Sequence, residues 1–442
     1  MARSRSGRST APSPRTRRGA AGVDVYLLPA VVGGGLGDIE ETLAAGRQLV
    51  RAGFRLRLYR SRGRPLPKSV DGPWDWPPIE RTDRVEPRAS SALTVTPAWG
   101  ISAAPSRPGA YGRGGPWEAE ATDLEAAYGA DHVVHVSLEE FARTLTNARE
   151  NRERLREGGV AARALGARLR RAQEAGEVDT FRAAFRRFRS FDRPNVLHLF
   201  ATFRRDRGFA REFPEAVQTG PLWPDRYRRG RGSSARRGRP EWVWYASPAS
   251  AERLAPAVLE GLASIRPVPH LWILSPRPWA LALPADRATL VTHPVPPAVW
   301  ARRFSGAAVR IVTGSRTLLE AMELGGPFLY FNGVLGAEGR TRRHRPEKLV
   351  GLLDLARRDG VGRRLRTDLA DFARGRRVTE VVTGAATGAG GWSDFPSRWN
   401  TTSFAPPFDD AGTLLVAVAR ALGRRGPRAP ELVARVRSGL AP

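Results

Sequence analysis

Five closely spaced residues could bind a phosphate group and a neighbouring diol: Thr313, Gly314, Ser315, Thr317 and Glu320. A glycine lets a ligand approach the backbone, and hydroxyl groups donate hydrogen bonds to phosphate oxygens. The carboxylate, about one helical turn further along, can accept hydrogen bonds from a vicinal diol such as a ribose. The alternative is that Ser315 only caps a helix and that Glu320 is a solvated acid of its first turn. These residues alone leave both interpretations open.

The surrounding elements predict that these residues lie at the mouth of a parallel sheet. Residues 309–333 read VRIVTGSRTLLEAMELGGPFLYFNG, with apolar runs on either side of a stretch with helical spacing. This pattern predicts a strand over 309–312, a helix from about Arg316 and a second strand. Open α/β sheets bind ligands at the carboxyl ends of their strands, where a helix N terminus also favours anions. The pattern therefore predicts a diphosphate site directly after residue 312.

The rest of the chain shows the same α/β alternation in two halves. Residues 23–32, VDVYLLPAVV, predict a buried strand, and a glycine turn, a helical stretch and the strand FRLRLY follow. Further strand-like segments are ALTVTPAW, HVVHVS and NVLHLFATF in the first half, and EWVWYASP, HLWILSP and ATLVTHPV in the second. The predicted fold class is α/β, with two doubly wound Rossmann-like domains facing a cleft.

The predicted organisation has five parts. They are a disordered basic tail (1–22), an N-terminal acceptor-side domain (23–220) with a helical insertion at about 138–190, an Arg/Gly-rich linker (221–240), a C-terminal donor domain (241–425) and a C-terminal tail (426–442). The linker is the clearest boundary, because GPLWPDRYRRGRGSSARRGRP combines turn residues and charge with little to bury.

Composition limits the classes of function. The formal net charge is +28, and only Lys68 and Lys348 are lysines among the 72 cations. A basic surface favours phosphates, nucleic acid or anionic membranes, but no nucleic-acid-binding motif is present, so nucleic acid is not favoured as a partner. Without cysteine, disulfides and thiolate metal sites are excluded. No apolar run approaches the roughly 20 residues of a membrane span. We therefore expect a cytoplasmic protein.

The order THPVPPAVW, a short interval and VRIVTGSRTLLEAMELGGPFLYFNG resembles the donor half of the GT-B glycosyltransferases. It is most similar to the branch that contains the lipid-linked N-acetylglucosaminyltransferase of cell-wall synthesis. The resemblance implies a nucleotide-sugar donor of the UDP-linked type, no bound cofactor, and an acceptor such as a lipid phosphate at the inner membrane face. It also implies that Gly314, Ser315 and Thr317 contact the diphosphate and that Glu320 contacts the ribose.

The resemblance extends to residues outside this segment. His293 lies in the loop expected beside the nucleobase, and Ser247 follows the first strand of the second domain, where many relatives have a Gly-Gly-Ser turn. A histidine often follows the family's acceptor-facing glycine loop as the general base. In this chain Asp38 takes that place and is the candidate base, although helix capping also explains it. The loop itself would be Gly33, Gly34, Gly35 and Gly37.

Motifs that are missing from the sequence help to distinguish the possible types of glycosyl transfer. No Asp-x-Asp triplet occurs, which argues against the metal-dependent GT-A class, so no metal is expected. Retaining GT-B enzymes of the commonest kind carry a second glutamate eight residues before the one that matches Glu320. That position is Val312 here, which favours inversion. Asn332 and Gly333 replace the acid–glutamine pair that usually reads the sugar, so the donor sugar and the retention of catalysis stay open.

Two rival functions remain. A nucleotide-sugar 2-epimerase of similar fold would bind the same donor, but it needs acids and histidines clustered around the sugar ring, and the sequence does not identify such a cluster. A non-catalytic basic binding protein would use the arginine-rich segments 1–22 and 228–239. His132 and His135 stand three apart on a strand pattern, so we expect them on opposite faces, which is a poor geometry for a metal site.

Overall fold

The structure is a computed structural model, and it describes residues 22–28, 37–61, 76–97, 118–140, 193–201, 216–223, 240–246, 251–275, 278–292, 295–331, 334–335, 341–342, 346–396, 399, 408, 410–424 and 428–442.

The first unit is built on a seven-stranded parallel sheet. Its strands are β1 (Val23–Leu27), β2 (Leu56–Tyr59), β3 (Ile79–Thr82), β4 (Ser91–Pro97), β5 (Val133–Glu140), β6 (Val196–Ala201) and β7 (Ala216–Thr219). Their order is β3-β2-β1-β4-β5-β6-β7, so the chain builds outward on one side of β1 and then continues on the other side. Helix α1 (Gly37–Arg51) follows β1, and helix α2 (Glu118–Tyr128) precedes β5.

The second unit is built on a five-stranded parallel sheet. Its strands are β8 (Glu241–Tyr245), β9 (His270–Ser275), β10 (Ala288–Thr292), β11 (Val309–Val312) and β12 (Phe328–Tyr330), in the order β10-β9-β8-β11-β12. A short antiparallel pair, β13 (Val334–Leu335) and β14 (Thr341–Arg342), follows. The helices are α3 (Ala251–Ala263), α4 (Pro297–Gly306), α5 (Ser315–Leu324), α6 (Pro346–Arg358), α7 (Arg363–Ala373) and α8 (Val378–Thr387).

Two further helices end the chain and pack on the first sheet, not on the second. They are α9 (Ala411–Leu422) and α10 (Ala429–Arg437). Leu415 and Val433 share one hydrophobic core with Val25 of β1 and Val136 of β5. The apolar face of the first sheet is therefore covered by α1 together with these two helices.

The opposite face of the first sheet is polar. Because side chains alternate along a strand, Tyr26, Thr94, His135 and Ser137 project away from the apolar core, and all four are fully buried. Helix α2 packs on this face, where Leu124 joins Tyr26 in a small separate core.

The chain passes between the two units twice, at neighbouring places. Leu222 belongs to the first core and Trp223, the next residue, belongs to the second. On the return, Trp399 still lies in the second core while Phe408 lies in the first. Gly220 joins the two passages, since its N–H donates to the Phe408 carbonyl at 3.3 Å and its carbonyl accepts from the Ala411 N–H at 3.2 Å.

The prediction of two doubly wound α/β units is confirmed by the two parallel sheets. The predicted strands all appear, and the helix expected from about residue 316 begins at Ser315. Strand β3 was not predicted, because IERT at the sheet edge is half-exposed and lacks an apolar pattern. Strand β7 and helix α2 were also not predicted.

Several predicted boundaries differ from the structure. Residues 221–223 of the predicted linker are buried, and residues 138–140 of the predicted helical insertion continue β5. Residues 411–425 were assigned to the second domain and 426–442 to a tail, whereas α9 and α10 complete the first core. Residues 1–21 of the tail, 141–190 of the insertion and 224–239 of the linker lie outside the described residues.

Within the described ranges, none of the helices has the length and apolar character required to cross a membrane.

Gly261 tests the packing of α3 on α8. A Cβ atom at this position would lie 2.7 Å from the Thr379 carbonyl oxygen and 2.8 Å from Val382 Cγ1. We expect Gly261→Ala to lower the free energy of unfolding by about 1–3 kcal/mol, because backbone has to move to admit the methyl group. Urea denaturation with Gly306→Ala as the control checks this. Gly306 lies in the last turn of α4 with no atom near such a Cβ, so its replacement should be neutral or stabilising by up to about 1 kcal/mol. Equal effects of the two changes would contradict the packing argument.

Candidate functional site

The predicted binding segment lies at the switch point of the second sheet. Strands β8 and β11 are adjacent and parallel, and the chain builds outward from β8 on one side and from β11 on the other. Ligands of open α/β sheets bind in the crevice that opens at such a point, beyond the carboxyl ends of the strands. Thr313 directly follows β11, and its hydroxyl donates to the Tyr245 carbonyl at the end of β8 at 2.8 Å. This hydrogen bond fastens the two strand ends that border the crevice.

The turn into α5 is closed by the helix itself. Gly314 is the N-cap residue, with φ −99° and ψ 163°. Its N–H donates to Thr317 Oγ1 at 3.2 Å, and the Thr317 hydroxyl lies 3.2 Å from the Gly314 carbonyl oxygen. The Thr317 hydroxyl therefore bonds to the turn in this structure. The first turn of α5 contains no acidic residue, so its N–H groups and the positive end of the helix dipole favour an anion.

Glu320 is buried beneath the turn, with only 2% of its surface exposed. Its Oε2 atom accepts a hydrogen bond from the Trp300 indole N–H of α4 at 3.2 Å. The alternative interpretation of Glu320 as a solvated first-turn acid is therefore wrong.

Aromatic rings hold Trp300 in place. Its ring stacks on Phe304 at a centroid distance of 4.5 Å, meets the Tyr245 ring edge-on at 6.0 Å and lies 6.2 Å from the Trp272 ring. Because Trp300 is packed on three sides, its N–H, and with it the Glu320 carboxylate, has a fixed position.

Two buried arginines fix the helices around the site. Arg310 of β11 donates to the Phe304 carbonyl at 2.7 Å and to the Gly325 carbonyl at 2.9 Å, at the ends of α4 and α5. Arg316, in the first turn of α5, donates through Nη1 to the Leu222 carbonyl at 2.8 Å. The start of α5 is thereby tied to the passage between the two units.

The first sheet brings a second helix start to its own switch point. Helix α1 begins at Gly37, after β1, and it contacts α5 of the second unit. Asp38, the candidate base, is the second residue of α1 and so lies in its first turn; the described part of the chain does not include its side chain.

Several predicted site residues lie outside the described part of the chain. They are Gly33, Gly34, Gly35, Ser247 and His293, and the side chain of Ser315 joins them. Their roles stay predictions.

The polar face of the first sheet contains a hydrogen-bonded chain that was not predicted. His135 is fully buried, with Nδ1 2.8 Å from Thr94 Oγ1 and Nε2 3.1 Å from Glu125 Oε1 of α2. Asn195 Nδ2 donates to the same Glu125 oxygen at 2.8 Å. The sequence could have suggested this chain only through the histidine inside an apolar strand pattern, since its partners come from three other segments.

The surroundings of Glu125 and His135 determine their protonation states. The hydrogen bond from His135 lowers the pKa of Glu125 to about 2, so the carboxylate is ionised and can only accept. Burial lowers the pKa of His135, which is therefore neutral near pH 7. A neutral ring that donates from Nε2 accepts at Nδ1, so the Thr94 hydroxyl donates to it. Because Thr94 is itself fully buried and cannot contact a ligand, we assign these hydrogen bonds a structural role.

Among the described residues, no group of three or more His, Asp and Glu side chains is placed to hold a metal ion.

Comparisons with known proteins give weak similarities. No family model matches the sequence, and no curated protein matches it. Among solved structures, the glycotransferase of kitacinnamycin is 13% identical with a TM-score of 0.41, covering 84% of this chain and 95% of that one. UGT71G1 of Medicago truncatula, complexed with UDP-glucose, is 11% identical with a TM-score of 0.42, covering 94% and 98%. UGT2 of Phytolacca americana, complexed with UDP-2fluoro-glucose and pterostilbene, is 11% identical with a TM-score of 0.43, covering 95% and 99%. Similarities at this level add nothing to what the two sheets establish by themselves.

The lowered pKa of Glu125 makes the stability of the protein depend on pH in the acidic range. A carboxyl group whose pKa is lowered on folding, here from 4.5 to about 2, stabilises the protein fully above pH 4.5 and loses this contribution as the pH falls towards 2. We expect Glu125→Gln to lower the free energy of unfolding by about 1.5–3 kcal/mol at pH 7, because the buried His135 N–H loses an ionised acceptor. The difference from the wild type should shrink below pH 4.5. Urea denaturation at pH 7, 5, 4 and 3 measures it, and a difference that does not change with pH would contradict the assigned ionisation.

Proposed function

We propose that this protein is a glycosyltransferase of the GT-B type, which transfers a sugar from a nucleotide diphosphate donor to an acceptor hydroxyl. One observation carries the proposal. The turn Thr313–Gly314 opens α5 at the switch point of the second sheet, and a buried carboxylate, Glu320, lies one helical turn below it. This arrangement places a site that favours an anion and a carboxyl group that could accept from a diol on the same helix.

Gly314 supports a ligand at the turn. Its φ of −99° is accessible to any residue, and a Cβ there would make only ordinary contacts, 3.5 Å from Thr317 Oγ1 and 3.8 Å from Tyr245 Cε1. Neither the backbone nor the packing of the protein therefore requires a glycine. A close approach of a phosphate to the backbone would require one, with the N–H groups at the start of α5 as donors.

Glu320 supports the ribose contact. Its carboxyl group accepts a hydrogen bond from the Trp300 N–H at 3.2 Å, and each carboxyl oxygen can accept more than one hydrogen bond. Burial makes a hydrogen bond to this carboxyl group stronger than it would be in water. The proposed role of Trp300 is to hold the Glu320 carboxylate so that it faces the diol.

The proposed reaction is inverting and needs no metal. The acceptor oxygen attacks the anomeric carbon, the bond from that carbon to the diphosphate oxygen breaks, and the hydroxyl proton passes to the Asp38 carboxylate. The start of α5 stabilises the charge that develops on the leaving nucleoside diphosphate. The contact between α1 and α5 supports the pairing of a base on one unit with the donor site on the other.

The finer details are proposals that rest on the family resemblance. The donor is UDP-linked, the acceptor hydroxyl belongs to a molecule carried on a lipid phosphate, and the protein acts in the cytoplasm as a peripheral protein of the inner membrane face. His293 and Ser247 bind the donor, and the loop of Gly33, Gly34, Gly35 and Gly37 faces the acceptor.

Nucleoside diphosphate binding tests the proposal directly. We expect one nucleoside diphosphate from a panel to raise the melting temperature of the purified protein by several degrees, as a saturating ligand stabilises by about 2.7 kcal/mol at 100 times its Kd. Glu320→Gln should weaken this binding by about tenfold or more, because the amide N–H₂ replaces a carboxyl oxygen that would accept from the diol. No shift with any nucleoside diphosphate, in protein that circular dichroism shows to be folded, would refute the transferase proposal.

Trp300 gives a sharper test of the ribose contact. Trp300→Phe keeps an aromatic ring between Phe304 and Tyr245 but removes the N–H donor to Glu320. We expect the preference for a ribonucleoside diphosphate over its 2′,3′-dideoxy analogue to fall by a factor of about 3–10, since a misplaced carboxylate discriminates less. Trp272→Phe is the matched control, because it removes a neighbouring indole that has no bond to Glu320. An unchanged preference in Trp300→Phe would refute the positioning role of Trp300 and leave nucleotide binding itself untouched.

A further inference from the structure

A groove on the second unit carries arginines that the proposed reaction does not use. It has a volume of about 290 Å³ and lies between α6 and α7, with Arg363, Arg366 and Arg374 in its wall. These three residues lie along one face of α7 and just beyond its end, because positions three, eight and eleven apart fall on the same side of a helix. None of the residues of the β11–α5 turn lines this groove.

The acid in the wall of the groove is already engaged. Asp371 lies 3.3 Å from Arg377 Nη1, and Asp368, on the next turn, lies 3.5 Å from the same nitrogen. Throughout the described ranges, no ion pair to Arg363 or Arg366 is present, whereas Arg57, Arg88 and Arg377 each pair with acids. The groove therefore has a net positive charge that its own carboxylate does not neutralise.

Arg366 also has an unused donor. Its Nε atom is buried and makes no hydrogen bond to any residue that the structure describes. A buried donor without an acceptor is unfavourable, and more so when the group is charged, so an acceptor that enters the groove would be bound favourably.

The start of α7 adds to this preference. The first turn of α7 contains no acidic residue, and Gly362 at its N-cap offers no side chain to the first N–H groups. Arginines in the first turn of a helix are unfavourable next to the positive end of its dipole. An anion beside Arg363 and Arg366 would offset this repulsion.

We propose that the α6–α7 groove binds a phosphate group, as free phosphate or as the head group of an anionic phospholipid. Planar guanidinium groups bind phosphate oxygens in pairs, which gives both affinity and geometry. Leu353 of α6 and Ala370 of α7 add apolar surface to the lining, beside which the carbon atoms next to a phosphate ester would lie.

Binding measurements with matched variants test the groove. Inorganic phosphate is titrated calorimetrically into the full-length protein with the start of α5 saturated by a nucleoside diphosphate, and sedimentation is measured with phosphatidylcholine vesicles with and without phosphatidic acid. We expect binding in at least one arm, weakened at least about tenfold in Arg363→Gln/Arg366→Gln/Arg374→Gln, because several charge-assisted hydrogen bonds are lost together. Binding only in solution assigns the groove to free phosphate, and binding only to the acidic vesicles assigns it to a head group.

The control removes the same charge elsewhere. Three exposed arginines lie far from the groove in sequence: Arg420 on α9, Arg424 just after α9 and Arg435 on α10. Their triple replacement by Gln should leave phosphate binding within about twofold of the wild type. Equal losses in the two triple variants would show a general effect of charge and overturn the proposal, as would the absence of binding in both arms.

Arg366→Lys separates geometry from charge. It keeps the positive charge but removes the Nε donor, so we expect phosphate binding to weaken several-fold while the melting temperature stays near that of the wild type. Binding equal to the wild type would overturn the assignment of Arg366 as a phosphate ligand. Nucleoside diphosphate binding at the start of α5 should be unchanged in all these variants, which keeps the two sites distinguishable.

Discussion

A parallel sheet has to be covered on both faces. This protein contains two such sheets, and covering both of them determines the path of its backbone. The second sheet is so well covered that Trp242, Val243 and Trp244 of its first strand are almost completely buried. The first sheet receives α1 from its own half of the sequence, but its apolar face is completed only by α9 and α10. The chain must therefore leave the second unit and return, and the two passages lie side by side, joined through Gly220.

The candidate site depends on the same topology. A switch point exists wherever the chain has built outward from a central strand on both sides, and here it lies between β8 and β11. The side chains around it serve mainly to hold the backbone. The Thr313 hydroxyl joins two strand ends, the Thr317 hydroxyl closes the turn, and Arg316 reaches the passage between the units. The described residues offer a ligand the backbone N–H groups at the start of α5, with the Glu320 carboxyl group further along the same helix.

The sequence predicted the α/β class, the two units and the strand–turn–helix that carries Gly314, because continuous apolar runs and glycine turns are local signals. It did not predict that Glu320 is buried, since burial depends on Trp300 from another helix. The bonds between Thr94, His135 and Glu125 were missed for the same reason, as each partner belongs to a different element. The return of α9 and α10 to the first sheet was also missed. An amphipathic helix shows that it has an apolar face but does not show which sheet that face will cover.

The return of the last two helices has a consequence for how the protein is made. Synthesis proceeds from the N terminus, and the strands of the first sheet emerge long before residues 411–437. Until then α1 is the one helix, among the described residues, that covers its apolar face with Val25, Leu93 and Val136. The described core of the second unit lies within residues 223–399, so it is synthesised before the helices that complete the first core. The half of the molecule that is translated first is therefore the half that is completed last. A chain truncated before α9 would expose the apolar face of the first sheet and would be prone to aggregate.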